Sequence, residues 1–422
     1  MRRRGEPVTE PDDLERRFDS LKGANLNLDL TRGKPAAEQL DLADELDGYL
    51  GGNYVGEDGT DVRNYGMLRG LPEARALGAR LLDVAPDEVI AGGNASLTLM
   101  FFVLDAAMNV GLTGTPWRAD GRVKCLCPVP GYDRHFALAD ALGMELVTVP
   151  MTDAGPDMDV VEDLVTNDAD VRCIWCVPKY SNPTGCIYSE ETVRRLAELP
   201  RRQARGDQQP FLVLWDNAYT VHDLSFPPPR LTSILPLAKV AGTEDSIAMF
   251  ASTSKITFAG GGISFVGGSA NFLDAVEKRL SILMVGPDKV NQLRHVRFLA
   301  GDRLEAHMRA HAQIVRPKFE AVQRGLERGL GGTGLATWTD PKGGYFVSLD
   351  TRPGLAKAVV ALAGELGVAL TPAGATFPHG HDPEDRNIRI APTLATLQEV
   401  ESGIDVLSLC VKVAAARQSN QA

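Results

Sequence analysis

Three short strings place reactive side chains directly after apolar runs. Asn182-Pro183-Thr184-Gly185 follows residues 171–177, Asp216-Asn217-Ala218-Tyr219 follows 211–215, and Ser252-Thr253-Ser254-Lys255 follows 247–250. Near-continuous apolar runs suit strands buried on both faces of a parallel sheet. Ligands of such sheets bind outside the carboxyl ends of the strands. An amide, an acid, a phenol and a lysine would therefore gather at one rim. That set suits an aldehyde cofactor bonded to the lysine, with a pyridine nitrogen to protonate and a phenolic oxygen to hold. A buried lysine can lose its charge and attack a carbonyl, and its amine, once displaced, can shuttle a proton. A carboxylate facing a pyridine nitrogen keeps the ring protonated and thereby an electron sink. The competing readings are a surface lysine, a helix-cap aspartate and a plain Asn-Pro turn.

The elements that must carry these strings follow from periodicity. Gly66, Gly70 and Pro72 open a helix over 73–82, and Gly92-Gly93-Asn94 heads an apolar helix over 95–107. Free amides and the helix dipole make that start a ready phosphate site. Strands at 123–127 and 145–149 flank a helix that begins at Pro130-Gly131-Tyr132 and runs through 142. This alternation predicts an α/β fold with a large domain whose central sheet is mostly parallel and covered by helices. Residues 304–330 read as one long helix interrupted by Pro317, a domain connector. A strand over 344–349, a helix over 354–366 and a strand over 387–390 follow. The expected division is an N-terminal arm and part of a small α/β domain over 1–60, a large domain over 61–305, and the rest of the small domain over 306–422. Gly329-Leu330-Gly331-Gly332-Thr333-Gly334 matches a dinucleotide fingerprint, but a helix precedes it where that motif needs a strand. It reads as a helix end and turn. Residues 206–210 and 226–229 read as surface loops.

The chain has 422 residues, 44% hydrophobic and 23% charged, with a net charge of −11. Such a balance fits a globular protein of two or three domains and argues against a nucleic-acid footprint. Arg2-Arg3-Arg4 is followed by no apolar segment of signal type, and no run approaches the ~20 residues of a membrane span. The expected location is the cytoplasm. Of six cysteines, Cys125, Cys127, Cys173 and Cys176 lie in apolar strand-like runs, with Cys186 and Cys410 far off. Metal pairs are usually presented by turns, so buried free thiols and no metal site are expected.

The three strings resemble the signature of class I aminotransferases, which are fold-type I pyridoxal 5′-phosphate enzymes. The resemblance runs from Leu30-Thr31-Arg32-Gly33 to Arg389-Ile390. Residues 30–35 and 178–183 look closest to a divergent bacterial aspartate aminotransferase subgroup, related to the catalytic half of MocR-type regulators. The resemblance implies pyridoxal 5′-phosphate on Lys255, Asp216 at its pyridine nitrogen, and Asn182 and Tyr219 at its 3′ oxygen. It further implies Tyr132 stacked on the ring, with Gly93, Asn94 and Ser252 at the phosphate. Tyr65 would reach the phosphate of a neighbouring subunit, in a homodimer with shared sites. Gly33, Asn182 and Arg389 would border the substrate, Arg389 taking its α-carboxylate as a bidentate pair. Arg389 alternates with Ile388 and Ile390 on a strand, so its side chain points away from theirs; Arg386 is the local competitor. His135 falls on the face of Tyr132 three residues on, either supporting Asp216 from behind or simply satisfied in the core.

One departure stands out. The family's arginine eight residues past the lysine is replaced by Ile263, with Ser264 next. Either Thr253, Ser254 and Ser264 share the phosphate, or a cation arrives from elsewhere in the chain. The implied reaction is ping-pong exchange between an amino acid, aspartate or glutamate, and a 2-oxo acid, 2-oxoglutarate or oxaloacetate. Lys34, Arg32, Arg69 and Arg297 are candidates for a distal carboxylate. The rival readings are a β-lyase or decarboxylase with the same cofactor, and a catalytically idle sensor.

Overall fold

The computed structural model describes residues 11–24, 26–112, 114–203 and 211–421; Arg2-Arg3-Arg4 and the 206–210 loop lie outside these. Seven strands form most of the large sheet: β1 (Val89–Ala91), β2 (Lys124–Val129), β3 (Glu145–Thr152), β4 (Val171–Cys176), β5 (Leu212–Asp216), β6 (Ile247–Ser252) and β7 (Ser264–Gly267). Their order across the sheet is β1-β7-β6-β5-β4-β2-β3, with Gly155–Pro156 as a short antiparallel edge on β3. Strands β2 to β6 pair in parallel, and β7 runs antiparallel to both β6 and β1. The predicted α/β architecture is present.

Every residue of β4 and β5 is buried, as the apolar runs require. Side chains alternate between two cores. Val213, Trp215 and Met249 join one; Leu212, Leu214, Trp175 and Phe250 join the other, on the opposite face. Because β4, β5 and β6 are parallel neighbours, their carboxyl ends share one rim, and each ends at one of the three strings. Lys255 lies just past β6, in the connection to β7.

A further core unites the chain ends. Leu14, Phe18 and Leu30 pack with residues of the long helix Arg303–Leu330 and the terminal helix Leu397–Gln421. Ala43 and Leu46 instead join the first core of the large sheet. A three-stranded antiparallel sheet orders Ala336–Trp338, Val347–Thr351 and Asn387–Ile390, and Leu28–Asp29 pairs in parallel with Val368–Ala369.

Two expectations need correction. The helix Arg303–Leu330 is not interrupted by Pro317. A proline inside a helix costs about 3 kcal/mol, but Val315, Phe319 and Val322 are buried around it, and each contributes roughly 1.5–3 kcal/mol. The strand expected over 344–349 begins at Val347. Tyr345 and Phe346 turn away into a separate aromatic cluster with Tyr180 and Tyr219. The fingerprint-like glycine run does follow a helix end, at Leu330. Five cysteines are buried, Cys186 partly so, and all are free thiols. Among the described residues, no helix is long and apolar enough to cross a membrane.

Candidate active site

The strand rim encloses a cavity of about 150 Å³ lined by Tyr132, Asn182, Asp216, Tyr219, Ser252 and Lys255, together with Ala95, Ser96 and Ser254. Lys255 Nζ sits 4.9 Å from the ring centre of Tyr219. Burial pushes its amine below the ordinary lysine range, while the charge of Asp216 opposes that shift. A lysine so placed spends more of its time as a nucleophilic amine. Burial, helped by the charge of Asp216, pushes the Tyr132 phenol up to about 12 and the Tyr219 phenol well above its usual range. Both phenols therefore stay protonated and can donate hydrogen bonds.

Asp216 closes β5 and is almost fully buried. Its Oδ2 lies 2.9 Å from Nε2 of His135, whose ring stacks at 4.0 Å and 8° on Trp175. The other oxygen, Oδ1, is buried with no partner, as is Nδ2 of Asn182. Unpartnered buried polar atoms are costly, and groups aimed at a shared cavity point to a missing ligand. Across the cavity mouth, Arg389 Nη1 donates to Asn182 Oδ1 at 3.3 Å and Asp133 Oδ1 at 3.1 Å. Arg389 Nε is also buried without a partner, leaving part of the guanidinium edge for a carboxylate. Phe346 lies under this guanidinium, 5.0 Å from ring centre to Cζ. A Cβ on Gly33 would come within 2.8 Å of Phe346 Cε1, so only glycine lets the Thr31–Pro35 loop approach this closely.

The helix Ser96–Asn109 starts beside Asp216 and Ser252, and its cap residue, Ala95, offers no side-chain hydrogen bond to the first amides. The Thr98 amide meets Ala95 O at 3.1 Å, which leaves those of Ser96 and Leu97 to meet an anion. Gly93 shapes this end through its carbonyl, to which Ser264 Oγ donates at 2.8 Å, and Asn94 through its side chain, Nδ2 donating to Gly260 O at 3.3 Å.

The family described as aspartate amino-transferase matches residues 8–422. The chain belongs to that family. An aminotransferase from Mycolicibacterium smegmatis is 49% identical over 407 residues, covering 95% of this chain and 94% of the relative. An aspartate aminotransferase from Corynebacterium glutamicum is 46% identical over 415 residues, covering 96% and 93%. The crystal structure of an aspartate transaminase from the same species superposes with a TM-score of 0.93 at 45% identity, covering 97% of this chain and 96% of that one. This aminotransferase therefore exchanges an amino group between an amino acid and a 2-oxo acid, with pyridoxal 5′-phosphate as cofactor. The orphaned Asp216 Oδ1 and Asn182 Nδ2, the uncapped helix start and the buried amine fit that group.

The structure brings together Lys255, Asp216, Tyr219, Asn182, Tyr132, Ser252, Gly33 and Arg389. Tyr65 lies apart from the cavity lining and is 87% exposed. Arg386 is paired with Glu384, so Arg389 alone of the two faces the site. His135 does contact Asp216.

Several proposed substitutes are otherwise engaged. Thr253 Oγ1 accepts from the Ile263 amide at 2.8 Å, Ser264 Oγ donates to Gly93 O, and neither lines the cavity. Ser254 Oγ donates to Asn94 O at 3.1 Å, though it borders the cavity. Arg69 is tied to Asp274 and Glu277, and Arg297 to the carbonyls of Asn53 and Val55. Arg32 and Lys34 remain exposed beside Gly33. The sequence reading missed Asp133, Trp175 and Phe346. A register argument could have placed Trp175 on the Asp216 face, because β4 and β5 are parallel neighbours with Trp175 opposite Leu214.

Burial holds the imidazoles of His222 at about 3 and of His295 and His311 at about 4, below the ordinary 6.5. The unfolded chain takes up protons as pH falls through 6.5, whereas the folded chain refuses them until about 3–4. Stability is therefore fully present above 6.5 and lost progressively below it, at about 1.4 kcal/mol per pH unit for each such histidine. The melting temperature should fall from pH 6.5 to 5; a flat profile would show that these imidazoles charge without cost in the fold.

Proposed function

We propose that this aminotransferase takes aspartate or glutamate as amino donor and 2-oxoglutarate or oxaloacetate as acceptor, in two ping-pong half-reactions. The carrying observation is a set of three buried, unpartnered groups, Asp216 Oδ1, Asn182 Nδ2 and Arg389 Nε, beside a lysine whose amine burial holds below its ordinary range. When bound, the cofactor supplies an electron-withdrawing ring and carries the amino group between half-reactions. In this reading Asp216, steadied by His135, would keep the ring nitrogen protonated. Asn182 and Tyr219 would hold the 3′ oxygen, Tyr132 would pack on the ring, and Ser252 with the amides near Gly93 and Asn94 would hold the phosphate. The Lys255 amine would bond the cofactor and, once freed, would move the substrate's Cα proton. Arg389 binds the α-carboxylate, its Nη1 steadied by Asn182 and Asp133.

Preference for a dicarboxylate is supported by the name of the Corynebacterium glutamicum relative and by two exposed cations, Arg32 and Lys34, flanking Gly33. We place Lys34 first. Removing a charge-assisted contact costs roughly 1.5–3 kcal/mol, about ten- to over a hundredfold in specificity. Lys34→Ala should lower kcat/KM for aspartate by that factor and leave alanine unchanged, because alanine has no distal carboxylate. Equal changes for both substrates would pass the role to Arg32.

The proposed assembly is a homodimer with shared sites, Tyr65 reaching the partner's phosphate. It is supported by apolar side chains left in solvent near it: Ile282 and Val285 are exposed, and a Cβ on Gly286 would meet the Gly66 main chain. Isologous pairs are the commonest oligomers.

A further inference from the structure

Five of the seven histidines surround the reactive rim, yet only His135 touches a group that faces the cofactor. Of the other four, His222 and His307 hold main chain at Lys255 and Ile256, His295 meets the Thr257 hydroxyl, and His311 meets Gln39. Lys255 sits in a turn outside any helix or strand, where, among the described residues, no backbone amide donates to its own carbonyl or to that of Ile256. Buried carbonyls need partners, and here side chains supply them. His222 Nε2 lies 3.1 Å from Lys255 O and the Tyr345 hydroxyl 3.4 Å from it, while His307 Nε2 lies 2.6 Å from Ile256 O. One residue on, Thr257 Oγ1 meets His295 Nε2 at 2.9 Å.

Behind Tyr345 stands Gln39, fully buried although it lies in a short polar segment. Its two amide hydrogens have two acceptors. One is the Tyr345 oxygen at 3.2 Å, the other Nδ1 of His311 at 3.1 Å. His311 Nε2 in turn lies 3.2 Å from His307 Nε2. Gln39 Oε1 in turn accepts from the Ala36 amide at 3.0 Å. A tyrosine that accepts from Gln39 has its single proton left for Lys255 O. A directed chain therefore runs Ala36, Gln39, Tyr345, Lys255. Its first link follows the loop that carries Gly33 and Lys34, and Tyr345 adjoins Phe346, which lies between Gly33 and Arg389.

We propose that Gln39 is a positioning residue for the amino-group transfer: through Tyr345 it orients the main chain of Lys255 and ties it to the loop that borders the substrate. This rests on the reading of Lys255 as the lysine that bonds the cofactor. A buried hydrogen-bond chain can hold a reacting group to a fraction of an ångström, and small misplacements are expensive in rate.

The test uses the holoenzyme of three variants: Gln39→Met, which keeps length but donates nothing, the nearly isosteric Tyr345→Phe, and the double variant. Borohydride reduction of the wild-type holoenzyme followed by peptide mass mapping checks the underlying reading separately, since cofactor found on another lysine would sink that reading and not this network. With cofactor on Lys255, each single variant should lose about tenfold or more in kcat, for aspartate and alanine alike, with KM within about twofold. The pH at which the bound cofactor's visible absorbance is half-converted should move in both, by at least about 0.3 units. The double variant should be no worse than the poorer single one, because both cut one chain. Tyr345→Phe folds on the same ring packing, so it decides the matter if Gln39→Met is unstable. Wild-type kcat and an unmoved absorbance midpoint in Tyr345→Phe, or additive losses in the double variant, would overturn the proposal.

Discussion

Lys255→Ala is expected to lose at least about 10⁴-fold in turnover, since it removes both the covalent anchor and the proton-moving amine. No other lysine among the described residues lines the cavity. The pale, cofactor-poor variant should keep its fold, because a buried amine contributes little packing. Residual transamination within about a hundredfold of wild type would remove Lys255 from the role assigned to it. The same variant tests the shared site. Mixed with Tyr65→Ala protein, it forms heterodimers in which both lesions fall in one site and the other is whole. Activity recovered on mixing supports a partner-supplied Tyr65. Verified heterodimers without activity would mean that each site is complete within its own chain.

Asp216→Asn should cost about a hundredfold or more in kcat, ~2.7 kcal/mol at the barrier. Asparagine can still meet His135, so the local structure survives. It has no charge, however, to keep the ring nitrogen protonated, and the electron sink weakens. Cofactor affinity should fall much less than rate, because the phosphate end is untouched. A rate within about threefold of wild type would make Asp216 a structural residue that happens to face the cavity. The orphaned Oδ1 argues otherwise: a purely structural carboxylate would have both oxygens paired.

The three strings were legible because each depends on local pattern alone. An apolar run of strand length marks a strand, parallel strands end on one rim, and the residues after them must face that rim. Lys255, Asp216, Tyr219 and Asn182 needed nothing more. The helix start at Ser96 and the glycines before it were equally local. Arg389 was chosen over Arg386 by family resemblance, and its alternation with Ile388 and Ile390 fits a register that pairs it with Ser348.

What only the tertiary structure decided are meetings between distant residues with no periodic signature. Arg389 and Asn182 touch across 207 positions, and Gln39 and Tyr345 across 306. Ser264 and Thr253 carried hydroxyls suited to a phosphate, but β7 pairs with β6 and turns those hydroxyls onto main chain. Arg69 and Arg297 carried suitable charges, and neighbouring acids and carbonyls claimed them. The physical reason is the same in each case. Residue type and spacing determine which groups reach the rim, whereas the partner that satisfies a polar group is set by how two separate layers close on each other.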